Sequence, residues 1–263
     1  MRSTQRLTPR SPSASSAPLV LGAAVVCFVL GVAGVLLRRP NPGMPSPIAT
    51  PVISLASPAA GTLTSPQTTI LILGLSGVSD DPARLESIWF ASFRLPNTEV
   101  YLHGVPLDAR RASRGRTLAE VFSWSPKKGA SAAFLEDLAI VAPLESDATV
   151  VLDRQAFAAL VDYLGGIELS GASYSGEQVL GILDLLAERP ASALQAQADI
   201  LEAMSRRLPE VGATPDLSEL LDLVPKHARS SMPPGELAAL LAPLLPASPE
   251  SLHITPLTLQ PKP

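Results

Sequence analysis

Residues 146–169 read SDATVVLDRQAFAALVDYLGGIEL, and this stretch decides the architecture. Its apolar, β-branched run at 148–153 has the length of a buried strand and ends in an aspartate. The next ten residues carry apolar side chains three and four apart, the period of a helix, and Gly165-Gly166 closes that helix as C-termini prefer. Residues 167–169 turn extended again. Strand, glycine-stopped helix and strand in direct succession are the grammar of an alternating α/β chain.

Working outward, 68–77 (TTILILGLSG) is a buried strand ending in a glycine turn, and 87–93 (SIWFASF) and 98–105 (TEVYLHGV) are further strands rich in aromatic and β-branched residues. In the strand at 87–93, Trp89 and Phe90 are neighbours and so face opposite sides of the sheet. Helices are expected at 116–124, 130–144, 175–189 (from a serine cap to the break at Pro190), 192–208, 216–224 and 233–245, and a last extended run at 252–260. The expected fold is α/β: a layered α-β-α sandwich around one central mixed sheet.

The chain before residue 68 is of another kind. Residues 18–37 are 20 positions without a charge or strongly polar group, enough helix at 1.5 Å rise to cross a ~30 Å hydrocarbon core. Arg2, Arg6 and Arg10 precede this run, and Arg38-Arg39 follow it with no further basic residue until Arg84. That bias, with the long segment downstream, places the N-terminus inside. The run exceeds the core of a secretory signal and ends in Leu36-Leu37-Arg38-Arg39, a poor cleavage site, so a retained anchor is expected. Residues 40–66 hold seven prolines and no charge, the composition of an extended spacer. The expected order is a cytoplasmic N-terminus at 1–17, a transmembrane helix at 18–37, a Pro-rich extracellular linker at 38–67 and a globular domain at 68–263. The location is the cell membrane, single-pass, with the C-terminal domain extracytoplasmic.

Composition narrows the function. All 24 acidic residues lie at Asp80 or later, so the chain after Arg39 carries a net −9, which argues against a nucleic-acid partner. Cys27 is the single cysteine and sits in the apolar run, which excludes disulfides and a cysteine-based zinc site in the domain. Gly74-Leu75-Ser76-Gly77 lacks the spacing of a nucleophile elbow and reads as a strand-ending turn. His103, His227 and His253 have no metal-ligand spacing, and Glu136-Asp137 reads as a solvated helix face. Arg110, Arg111, Arg114 and Arg116, with Lys127 and Lys128, form a basic segment that is either a solvated loop or a patch for an anionic ligand.

Within 146–169, Asp147, Asp153, Phe157, Val161, Asp162, Leu164, Gly165, Gly166 and Ile167 follow in order the signature of the LytR-CpsA-Psr family of cell-envelope proteins, which this sequence resembles over about 68–260. Ser175-Gly176-Glu177-Gln178 with Leu180 resembles the start of that family's next helix. The resemblance implies an α/β sandwich around an apolar groove for a polyprenyl chain, arginines that grip pyrophosphate, carboxylates that hold Mg²⁺, and transfer of glycopolymers from a polyprenyl-pyrophosphate carrier to peptidoglycan. Arginine's planar fork suits phosphate, and oxygen ligands suit a hard cation. The sequence departs from the pattern where the chemistry would sit. The positions of an Arg-x-Arg pair fall on Asp184 and Leu186, an Arg-x-x-Arg-Gln motif keeps only Gln197, and the turn aspartate becomes Ser76. Arg84 is kept, and Glu86 and Asp108 stand at the implied metal positions. The expectation is therefore a membrane-anchored LytR-CpsA-Psr-like protein binding a polyprenyl-linked glycan or other anionic envelope polymer, with weak or no catalysis. Ligand contacts are expected from Arg84, Arg110, Arg111, Arg114, Arg116 and Gln197. Alternatives are an active transferase that uses the displaced arginines, and a non-catalytic envelope scaffold.

Overall fold

A computed structural model describes residues 67–94, 99–111, 115–207, 226–233, 236–237, 240 and 249–257. In chain order the elements are β1 (Gln67–Leu75), β2 (Leu85–Arg94), β3 (Val100–Gly104), α1 (Leu118–Val121), β4 (Trp124–Ser125), β5 (Gly129–Ala130), α2 (Ala132–Val141), β6 (Ala148–Asp153), α3 (Arg154–Tyr163), β7 (Ile167–Leu169), β8 (Ala172–Tyr174), α4 (Gly176–Leu186), α5 (Pro190–Arg207), β9 (Ala228–Ser230) and β10 (Leu252–Pro256). Six strands form one mixed sheet in the order β10-β3-β2-β1-β6-β9. Strands β1 and β6 run parallel at its centre, Ile70 facing Ala148 and Leu75 facing Asp153, while β2 lies antiparallel on the other side of β1.

The pleat divides the core by alternate residues. Leu71, Leu73, Leu75, Ile88, Phe90 and Val151 pack on one side against Leu118, Trp124, Phe134 and Leu138. Ile70, Trp89, Ala91, Phe93, Leu102 and Val150 pack on the other against Leu194 and Ala198 of α5 and against Leu237. A third cluster, including Val161, Val179, Ile200 and Met204, locks α3, α4 and α5 together. The layered α/β arrangement with a mixed central sheet is as expected, and Trp89 and Phe90 do face opposite ways.

The signature stretch folds as read, and its acidic residues work as joints. The Asp147 carboxylate accepts the Thr69 amide at 2.8 Å and ties the start of β6 to β1. Asp153 is buried and caps α3, accepting the amides of Gln155 and Ala156 at 3.1 Å. Asp162 accepts the Gly176 amide at 2.7 Å, where α4 begins.

Two expectations need correction. The helix read at 116–124 is only the single turn α1, followed by the β4–β5 hairpin. Pro126 and Gly129, the latter at φ +79°, force a turn there, and the Trp124 indole donates to the Val78 carbonyl at 2.9 Å. Asp137 is not on a solvated face: it is 2% exposed and pairs with Arg111. The structure also adds the β7–β8 hairpin, whose two loop residues Ser170 and Gly171 both have positive φ (51° and 80°), as a primed turn requires. The anchor at 18–37, the stalk, the helix expected at 216–224 and most of that at 233–245 lie outside the described residues. Among the described residues no helix is long and apolar enough to cross a membrane.

Candidate functional site

Parallel strands end together at Leu75 and Asp153, and β2 begins beside them at Leu85. The carboxyl edge of such a pair is where α/β folds commonly place a ligand. Here the ladder is irregular. Ser87 pairs with Gly74 and Leu85 with Leu75, so Glu86 is the extra residue of a bulge. Its carbonyl, displaced from the ladder, accepts the Gln197 side-chain amide at 3.0 Å, while the Gln197 oxygen accepts the Trp89 indole at 3.2 Å. Gln197 thus satisfies an orphaned backbone group, and both ends of its amide are engaged inside the protein.

The bulge aims the Glu86 side chain into a charged quartet. Glu86 Oε1 accepts from Arg84 Nη2 at 2.7 Å and from Arg154 Nη1 at 3.2 Å, so two guanidinium groups converge on one carboxylate oxygen. Arg154 also grips Asp184 with a two-pronged fork, at 2.7 and 2.6 Å. These contacts hold the Asp184 carboxyl below the usual carboxylate range, chiefly through the Arg154 bonds, and hold the Arg154 guanidinium protonated. The side chain of Arg84 is 67% exposed, that of Asp184 54%, and those of Glu86 and Arg154 23% each. Two cations and two anions leave the quartet formally neutral. Beside it, Ser76 closes the turn after β1 by accepting the Arg84 amide at 3.0 Å.

Arg154 and Asp184 were not among the site residues read from sequence, although a signal existed. Arg154 is the first residue of α3 and Asp184 lies near the end of α4, each at the helix end where the dipole opposes its charge. Charges at the wrong ends of two helices call for partners, and these two supply one another.

The other expected residues divide. Arg84 is a member of the quartet, and Gln197 braces the Glu86 backbone beside it. Arg111 turns away to Glu136 at 2.8 Å and to the buried Asp137 at 3.2 Å, and the Glu136 bond is the larger of the contacts holding it protonated. Arg110 reaches the Gly115 carbonyl at 3.5 Å, and Arg116 donates to the Glu120 carbonyl. Glu120 closes a capping box with Thr117 and is held below its ordinary pKa, first by the Thr117 amide. Arg114 lies outside the described residues. For Mg²⁺ the donor set does not fit: Glu86 shares its oxygen between two guanidinium groups, Asp108 sits in an exposed turn, and no three acidic or histidine side chains among the described residues gather to hold a metal. The three histidines also separate. His227 bonds Asp153 at 2.9 Å, His253 stacks on Tyr101 at 4.7 Å between ring centres, and His103 has a buried Nδ1 without a hydrogen-bond partner.

An open groove of about 480 Å³ runs beside β10 and is lined by Glu202, Ser205, Arg206, Glu250 and the strand itself, a polar setting unlike the aliphatic channel that a prenyl chain needs.

The mixed six-stranded sheet with its helical layers has the fold of the LytR-CpsA-Psr proteins. Among solved structures it is similar to the LytR-Csp2A-Psr enzyme from Actinomyces oris, with a TM-score of 0.58 and 21% identity over 80% of this chain and 87% of that one. TagV of B. subtilis matches at TM-score 0.54 and 16% identity over 74% and 85% of the two chains. TagT bound to LIIa-WTA matches at 0.54 and 14%, over 73% and 79%. No family model matches the sequence, and no curated protein matches it.

Proposed function

We propose that this chain is a membrane-anchored, extracytoplasmic protein of the cell envelope that binds a polyprenyl-(pyro)phosphate-linked or other anionic glycopolymer, with weak or no transferase activity. The observation that carries this reading is the convergence of Arg84 and Arg154 on a single Glu86 oxygen at the carboxyl edge of β1 and β6. Two guanidinium groups that meet at one oxygen are spaced to share a bridging phosphate anion. The likeness in fold to TagT bound to LIIa-WTA supports a glycan-bearing ligand. Weak turnover follows from charge, because each arginine already carries a carboxylate and little positive potential is left for a developing negative charge. Within the Arg110–Arg116 segment, Arg111 is committed to Glu136 and Asp137 and turned away from this edge.

The test is thermal stabilisation of the full chain, in detergent, by a water-soluble prenyl diphosphate. A saturable rise in Tm that is lost in Arg84→Ala and Arg154→Ala is expected. No shift at millimolar ligand sinks the reading.

A further inference from the structure

We propose that Asp184 is a built-in competitor for anions: its carboxylate occupies the fork of Arg154 that a phosphate would take, so that multiply charged phosphates bind only by displacing it. The inference rests on the reading of this edge as an anion site and adds how that site is kept selective.

Geometry carries it. Both nitrogens at the tip of Arg154 point at the two oxygens of Asp184, at 2.7 and 2.6 Å. This fork-to-fork arrangement is the one a phosphate adopts on arginine. Glu86 holds the guanidinium from another side at 3.2 Å, so Arg154 stays in position when Asp184 leaves. Asp184 can leave because its side chain is 54% exposed and sits on the solvent side of α4, whereas Arg154 is 23% exposed. An exposed ion pair is weak against a competing anion. A monoanion replaces Asp184 without gain in charge. An anion of two or more charges that also touches Arg84 gains a second guanidinium. The site is thereby tuned against common monoanions and towards pyrophosphate-like groups.

The experiment is calorimetric titration of inorganic pyrophosphate into the full chain in detergent, comparing the unmodified protein with Asp184→Asn, Asp184→Glu and Glu202→Gln. The last removes the same charge from a pair with Arg206 on α5. Asp184→Asn should bind roughly two- to fivefold tighter, the span expected when an exposed ion pair no longer competes. Asp184→Glu and Glu202→Gln should match the unmodified chain. In the unmodified chain, carbodiimide coupling at Asp184 should rise when pyrophosphate is added, a readout that does not depend on any variant folding. Binding by the unmodified protein without tightening in Asp184→Asn, or equal tightening in Glu202→Gln, overturns the competitor role and leaves the anion site standing. Absence of binding in all four proteins overturns both.

Discussion

Asp153 shows how much one side chain can hold. It is 5% exposed, caps α3 through two amides, accepts the Val78 amide at 3.4 Å and bonds His227 at 2.9 Å. Asp153→Ala should cost about 2–3 kcal/mol in urea unfolding, the sum of a lost cap and orphaned buried donors, and Asp153→Asn should recover part of it. His103 gives a pH signature. Burial lowers its pKa from the ordinary 6.5, so the folded protein prefers the neutral ring. The unfolded chain takes up a proton first as pH falls through 6.5, and stability should drop from there down to the folded value. His103→Phe should flatten that step in a series of melting curves, because Phe cannot titrate. The sequence displayed Arg84 and Gln197 as candidates but not the quartet. A bulge depends on the register between β1 and β2, and only the bulge brings Glu86 to Arg154.

At the scale of elements, the helix pair α3–α4 is set by glycines. A Cβ on Gly176 would run into the Ala158 backbone, whereas one on Gly181, five residues along the same helix, would meet open space. Gly176→Val should therefore destabilise by ~1–3 kcal/mol through overpacking. Gly181→Ala should stabilise by about 0.5–1 kcal/mol through lost chain entropy, both read from denaturant midpoints. Gly166, at φ +85° and with the Tyr174 carbonyl 2.8 Å from any added Cβ, explains why the double glycine ends α3. Long periodic elements were legible for a plain reason: α3, α4, α5, β1 and β6 each bury one stripe or run over a full element. The segment 116–130 was not. Its apolar residues Leu118, Val121, Phe122 and Trp124 fit a helical spacing, but the turn at Pro126 to Gly129 and the partner carbonyl of Val78 decide the outcome from outside that window.

For the whole molecule, the proposed anchor makes a separable prediction. The full chain should stay in the membrane pellet after alkaline carbonate extraction, and a variant lacking residues 1–39 should move to the supernatant, since the remaining stalk has no apolar span of bilayer length. The overall layering was readable because alternation of strand and helix restricts a chain to few arrangements. The neutral character of the site was not, because charge balance there depends on which arginine meets which acid. One feature has reach beyond its own contacts. Asp153 stitches the turn after β1, the first turn of α3 and His227, the residue before the outer strand β9, to a single carboxylate, and Arg154 is the very next residue. Whatever lands on that arginine pulls on the same knot. Deuterium uptake at the Val78 and Ala156 amides should therefore slow when pyrophosphate is bound, reporting occupancy from positions the ligand never touches.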